Sequence, residues 1–70
     1  MNLCNLGLNK VGKIISVSSS DIKRRLMDIG FNKGVIVRPV LNGKSMRAYS
    51  VKGSVIAIRT EDASLIEVDV

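Results

Sequence analysis

Few side chains in this chain are of a type that does chemistry, and their spacing limits them further. One cysteine, Cys4, stands between Leu3 and Asn5, and the seventy residues contain no histidine. A lone thiol becomes a nucleophile or a soft metal ligand only as the thiolate, and nothing beside Cys4 in sequence favours that form. The expectation is a buried or inert thiol. Without histidine the chain lacks the commonest metal ligand and the usual proton carrier near neutral pH. The acidic pairs Glu61 with Asp62 and Glu67 with Asp69 do not replace it. Ferrous ion is held by imidazole and carboxylate groups, adjacent strand residues face opposite ways, and an i, i+2 pair needs further ligands. Gly43-Lys44-Ser45 has the lysine and serine of a phosphate loop but no glycine-rich cradle following a strand. No catalytic residue, metal site or cofactor is expected, and the chain does not read as an enzyme.

Charge is the more informative signal. The net charge is +5, yet all eleven basic residues and only two acids, Asp21 and Asp28, precede residue 60, a local balance of +9. Such a body attracts polyanions or acidic protein faces over about a Debye length, ~8–10 Å at ordinary salt. Lys23, Arg24 and Arg25 are consecutive and offer phosphate contacts. Against nucleic acid, Asp21 lies four residues before Arg25 and Arg24 four before Asp28, so helix pairs worth ~0.3–0.5 kcal/mol each account for some of this charge. Phe31 and Tyr49 are the only aromatics, too few for a base-stacking platform or for the groove that grips proline-rich peptides.

These residues need a scaffold, and the composition supplies one. Hydrophobic residues make up 46% of the chain and charged residues 24%, enough apolar surface for one small globular domain over residues 1–70. No linker or repeat divides it. The longest apolar runs, such as Val55-Ile56-Ala57-Ile58, fall far short of the ~20 residues that span a bilayer, and the first residues lack the pattern of an export leader. A cytoplasmic location is expected.

Gly12 to Val17 is β-branched and reads as a first strand, with Ile15 and Val17 on one face. Ser18 is the expected N-cap of a helix carrying Ile22, Leu26 and Ile29 as its apolar stripe, with Met27 off that stripe. Gly30 can take the left-handed conformation that ends a helix, which lets Phe31 reach back to Leu26 in a Schellman cap. After Gly34, Val35 to Leu41 reads as a strand in which Pro39 predicts an edge or bulge. Asn42-Gly43 predicts a type I′ turn pairing residues 35–41 with 44–51. A second turn at Lys52-Gly53 leads to Ser54–Arg59, whose unbroken apolar run predicts a central strand covered on both faces. Thr60 to Ala63 allows one helical turn. Ile66, Val68 and Val70 alternate with Glu67 and Asp69 as in a half-buried last strand. Five short strands and one early helix predict a mainly β fold, a small SH3-like barrel first and an OB-fold second.

At this length and order the residues resemble the FeoA family of bacterial ferrous iron uptake. The resemblance rests on Leu3 and Leu6 before Gly12-Lys13-Ile14, on Arg25 through Gly34, on Val51-Lys52-Gly53, on Ala57-Ile58-Arg59, and on Ala63 with Ile66-Glu67-Val68. Two departures stand out. Asn42 to Met46 replaces a frequent Gly-Asp-Pro loop, and Gly7-Leu8-Asn9-Lys10 replaces the usual Pro and Gly before the first strand. The resemblance implies an SH3-like barrel, transition-metal association at the level of the family, and a small cytosolic adaptor that binds the GTPase region of the FeoB membrane transporter. A similar barrel ends iron-dependent repressors, so a regulatory module and a small basic nucleic-acid-binding barrel are the alternatives. The expected partner contacts are Arg24, Arg25, Lys33, Arg47 and Tyr49. The expected structural positions are Leu26, Gly30, Phe31, Gly34, Asn42, Gly43 and Gly53. Oligomeric state is left open.

Overall fold

The computed structural model describes residues 1–18 and 20–70. A 3₁₀ turn, Leu3–Asn5, precedes strand β1, Gly12–Val17, and helix α1, Ser20–Asp28. Strands β2, Ile36–Asn42, β3, Met46–Val51, and β4, Ser54–Arg59, follow, then the single turn α2, Thr60–Ala63, and β5, Ile66–Asp69. All neighbouring strands pair antiparallel, in the order β4-β3-β2-β1-β5. One core fills the bent sheet, with Ile14, Leu26, Phe31, Val37, Tyr49, Val51, Ile66 and Val68 all buried.

Helix α1 ends as its sequence predicts. Gly30 has φ 119°, the Gly30 amide donates to the Met27 carbonyl at 3.1 Å, and the Phe31 amide donates to the Leu26 carbonyl at 2.9 Å. These are the two bonds of a Schellman cap, and they seat Phe31 beside Leu26 in the core. The start differs from expectation. The helix begins at Ser20, so the cap position falls on Ser19, outside the described residues, while the Ser18 amide donates to the Leu65 carbonyl at 2.7 Å. Ile29 follows the last helical residue and is 41% exposed, so only Ile22 and Leu26 anchor the helix.

Two β-bulges shape the sheet. One at Val40, between the Pro39↔Tyr49 and Leu41↔Ala48 pairs, lies where the missing proline amide predicts it. The other, at Ile15, lies between the Ile14↔Val68 and Ser16↔Glu67 pairs. It corrects the expected strand face: Ile14 enters the core, Ile15 turns outward at 42% exposure, and the extra residue restores Val17 toward the core.

The expected Asn42-Gly43 turn is also corrected. Among the described residues Lys52 is the only non-glycine with positive φ, and the positive-φ glycines are Gly30, Gly34 and Gly53. The type I′ turn is therefore Lys52-Gly53, with φ 51° and 83°, closing the Val51↔Ser54 pair. The β2–β3 pairing does run to Asn42↔Arg47, joined by residues 43–46. Gly43 is needed there for space, because a Cβ would collide with the Met46 carbonyl oxygen. Finally, β4 is an edge strand with Val55 66% exposed, not a strand covered on both faces.

Candidate functional site

Helix α1 presents two flanks to the rest of the molecule, and they differ in what meets them. At 100° per residue, Ile22 and Leu26 point into the fold, Arg25 lies toward α2, and Lys23 and Met27 share the flank toward β1.

On the α2 flank the charges are mutually satisfied. Arg59 Nε donates to Asp62 Oδ2 at 3.3 Å, Arg25 Nη2 approaches the same oxygen at 3.9 Å, and Arg59 Nη1 pairs with Glu61 Oε1 at 3.1 Å. Asp62 is only 8% exposed, whereas both arginine side chains are more than half exposed, so each pair is worth at most ~1 kcal/mol. The expected helix pairs are not what neutralises α1: among the described residues Asp21 and Asp28 form no ion pair, and Arg25 turns to Asp62.

On the β1 flank a cleft of about 390 Å³ opens between the second half of β1 and the helix. Ile14 and Phe31 form its floor, Ile15, Val17 and Met27 its apolar walls, and Lys23 and Lys33 its charged border. Met27 is 41% exposed. Neither lysine enters any ion pair among the described residues. A hollow of about 590 Å³ lies between the N-terminal turn and Val70, but Lys10 is the only titratable side chain lining it.

The expected contact residues separate accordingly. Arg24 and Lys33 are exposed, Lys33 beside the cleft and Arg24 on the outward helix face. Arg25 is exposed but drawn to Asp62. Arg47 and Tyr49 leave the set, because the β3 register directs Arg47, Tyr49 and Val51 to the inner face. Tyr49 is 0% exposed, its ring edge-on to Phe31 with centroids 6.1 Å apart. Arg47 Nη1 donates to the Cys4 carbonyl at 3.0 Å. Lys23, Ile15 and Val17 were absent from the expected set. Lys23 is joined to Met27 by their i, i+4 spacing and Ile15 faces outward by ordinary alternation from Ile14, whereas Val17 reaches the cleft from the core side through a bulge that its own sequence does not announce.

Cys4 ties the N-terminal turn to α2, its Sγ donating to the Thr60 carbonyl at 3.2 Å. Nearby, Arg47 Nε, Tyr49 Oη and Thr60 Oγ1 are buried without a hydrogen-bond partner among the described residues. Burial, reinforced by Cys4 and opposed by Arg47, holds the Tyr49 phenol above its ordinary pKa of 10.0. Among the described residues no three Cys, Asp or Glu side chains converge to hold a metal, and no helix is long and apolar enough to cross a membrane. The geometry suits docking by charge and shape.

Comparison with known proteins agrees with the fold. The FeoA domain model matches residues 1–70. FeoA of Stenotrophomonas maltophilia, solved in complex with zinc and described as a prokaryotic SH3 domain protein, is 30% identical, with 99% of this chain and 89% of that one covered at a TM-score of 0.82. FeoA of Chlorobium tepidum is 26% identical over 97% of this chain and 68% of its own, at a TM-score of 0.80. An iron uptake regulatory protein, also a FeoA, shares the fold at a TM-score of 0.88 with 19% identity, covering 97% of this chain and 92% of that one. No curated protein matches the sequence. The five-stranded sheet is thus an SH3-like fold.

Proposed function

Because this chain belongs to the FeoA family, we propose that it is a cytoplasmic accessory factor of ferrous iron transport that acts by binding the cytosolic GTPase region of a FeoB transporter. The observation that carries this reading is the family match over the whole of residues 1–70. The Stenotrophomonas relative, described as a candidate ferrous iron transport activating factor, supports the same role.

The physical basis is a rigid basic barrel. Its local charge of +9 over the first sixty residues steers encounter with an acidic face, and exposed apolar side chains prolong residence once the two meet. Arg24 and Lys33, joined by Lys23, are the residues best placed to contribute. The test is an NMR titration of the isotopically labelled chain with the GTPase region of a co-occurring ferrous transporter at moderate salt. Saturable shifts confined to one face support the role. No shifts, or shifts that salt abolishes, reject it.

A further inference from the structure

We propose that the β1/α1 cleft receives a short peptide segment of a partner protein that carries carboxylates and aliphatic side chains together. This deepens the adaptor reading and rests on it for the partner's identity, while the chemistry of the occupant comes from the cleft alone.

The apolar walls of the cleft meet at the Ile15 bulge. A regular strand would alternate Ile14 inward and Ile15 outward, with no second apolar group beside Ile15 until Val17 on the same face. The extra residue instead turns Val17 toward the core while Ile15 stays outward, so the two line the cleft at different depths opposite Met27 of α1. Ile15 and Met27 are each about two-fifths exposed, and their neighbours Ile14 and Phe31 are already sealed, so the cleft offers aliphatic surface that water covers in the free protein. Methionine adds a flexible wall that can adjust to different side chains.

The charge of the cleft follows from where the acids are. Glu61 and Asp62 are engaged by Arg59 and Arg25, and Glu67 by the N-terminal amine at 3.5 Å. Asp21 and Asp28 lie on the outward helix face, roughly 100° or more around α1 from Lys23 and Met27. Among the described residues no acid lines the cleft, so Lys23 and Lys33 border it with unopposed positive charge. A ligand that covers the aliphatic walls without carboxylates leaves both lysines partly desolvated and unpaired, which is costly. A nucleic acid fits less well: Phe31 is fully buried, so the cleft exposes no ring for a base to stack on, and phosphodiester groups have no use for aliphatic walls.

The test uses the labelled chain and an acetylated octapeptide alternating glutamate with leucine, alongside the same peptide with glutamine for glutamate. The proposal expects saturable amide shifts at Ser16, Val17, Lys23, Met27 and Lys33, and about tenfold weaker binding both for the glutamine peptide and for a Lys23→Glu, Lys33→Glu variant with an otherwise unchanged spectrum. Shifts elsewhere, equal affinity for the two peptides, or occupation of the cleft by a single-stranded oligoribonucleotide in preference to the acidic peptide overturn it. The GTPase region separates the two readings. If it binds with shifts away from the cleft, the cleft assignment falls and the adaptor role stands. If the acidic peptide fills the cleft while the GTPase region causes no shifts, the choice of partner falls and the cleft stands.

Discussion

On one flank of α1 the positive charge is met within the molecule, where Arg25 and Arg59 converge on the nearly buried Asp62. On the other, Lys23 and Lys33 stand over the apolar walls supplied by Ile15, Val17 and Met27, with no acid lining the cleft among the described residues. The same short helix supplies both flanks, so neither net charge nor helix amphipathicity distinguishes them. What differs is the neighbour. The single turn α2 brings two acids to one side, and a bulged strand brings aliphatic side chains to the other. A count of basic residues therefore describes the charge of the whole surface, and the distribution of internal acids decides which part of that charge is left unopposed.

The largest expected effect removes the anchor common to both flanks. Leu26→Ala should cost ~2–5 kcal/mol, read as a lower denaturant midpoint, because Leu26 is fully buried under the helix. Asp62→Ala acts on one flank only. It should destabilise by ~1–2 kcal/mol through loss of its two ion pairs, and leave amide shifts around the β1 cleft unchanged. Gly30→Ala strains the cap at φ 119° and should cost roughly 1 kcal/mol or more in the same unfolding measurement, whereas full stability would contradict the Schellman geometry.

The smallest effect lies in the core beneath the helix. Because the fold favours the neutral Tyr49 phenol, its contribution is undiminished below the ordinary value of 10.0 and is lost as pH rises through the raised folded value. Tyr49→Phe should flatten the part of the alkaline loss that this group causes. At neutral pH it should change stability by no more than ~1 kcal/mol, since the hydroxyl has no hydrogen-bond partner among the described residues. Thermal melts of both proteins between neutral pH and pH 11 check this.

Much of the fold was legible in the sequence because its signals are local. The Gly30-Phe31 stop, the Pro39 irregularity, the bounds of β1 and the turn at Thr60–Ala63 each depend on residues within a few positions. The errors share a non-local cause. The Ile15 bulge depends on the register with β5, which is more than fifty residues away in the chain. Asn42-Gly43 carries a strong turn signal, but pairing through Asn42↔Arg47 and the bond from the Thr60 amide to the Ser45 carbonyl at 2.8 Å set a longer loop. An apolar run such as Val55–Ile58 does not distinguish a covered strand from an edge strand. Of the candidate site, Lys33 and the basic helix were legible. The inward placing of Arg47 and Tyr49 is not legible in the sequence, because the inner face of β3 is decided by its partners.

The most direct test compares the two flanks with equal changes of charge: the affinity of the transporter's GTPase region for Lys23→Glu and for Arg25→Glu, measured side by side at moderate salt. Long-range steering is nearly the same in both variants, so the difference reports location. The account predicts a loss of about tenfold for Lys23→Glu and less than about threefold for Arg25→Glu. Equal losses, or a greater loss at Arg25, would contradict docking at the β1/α1 cleft.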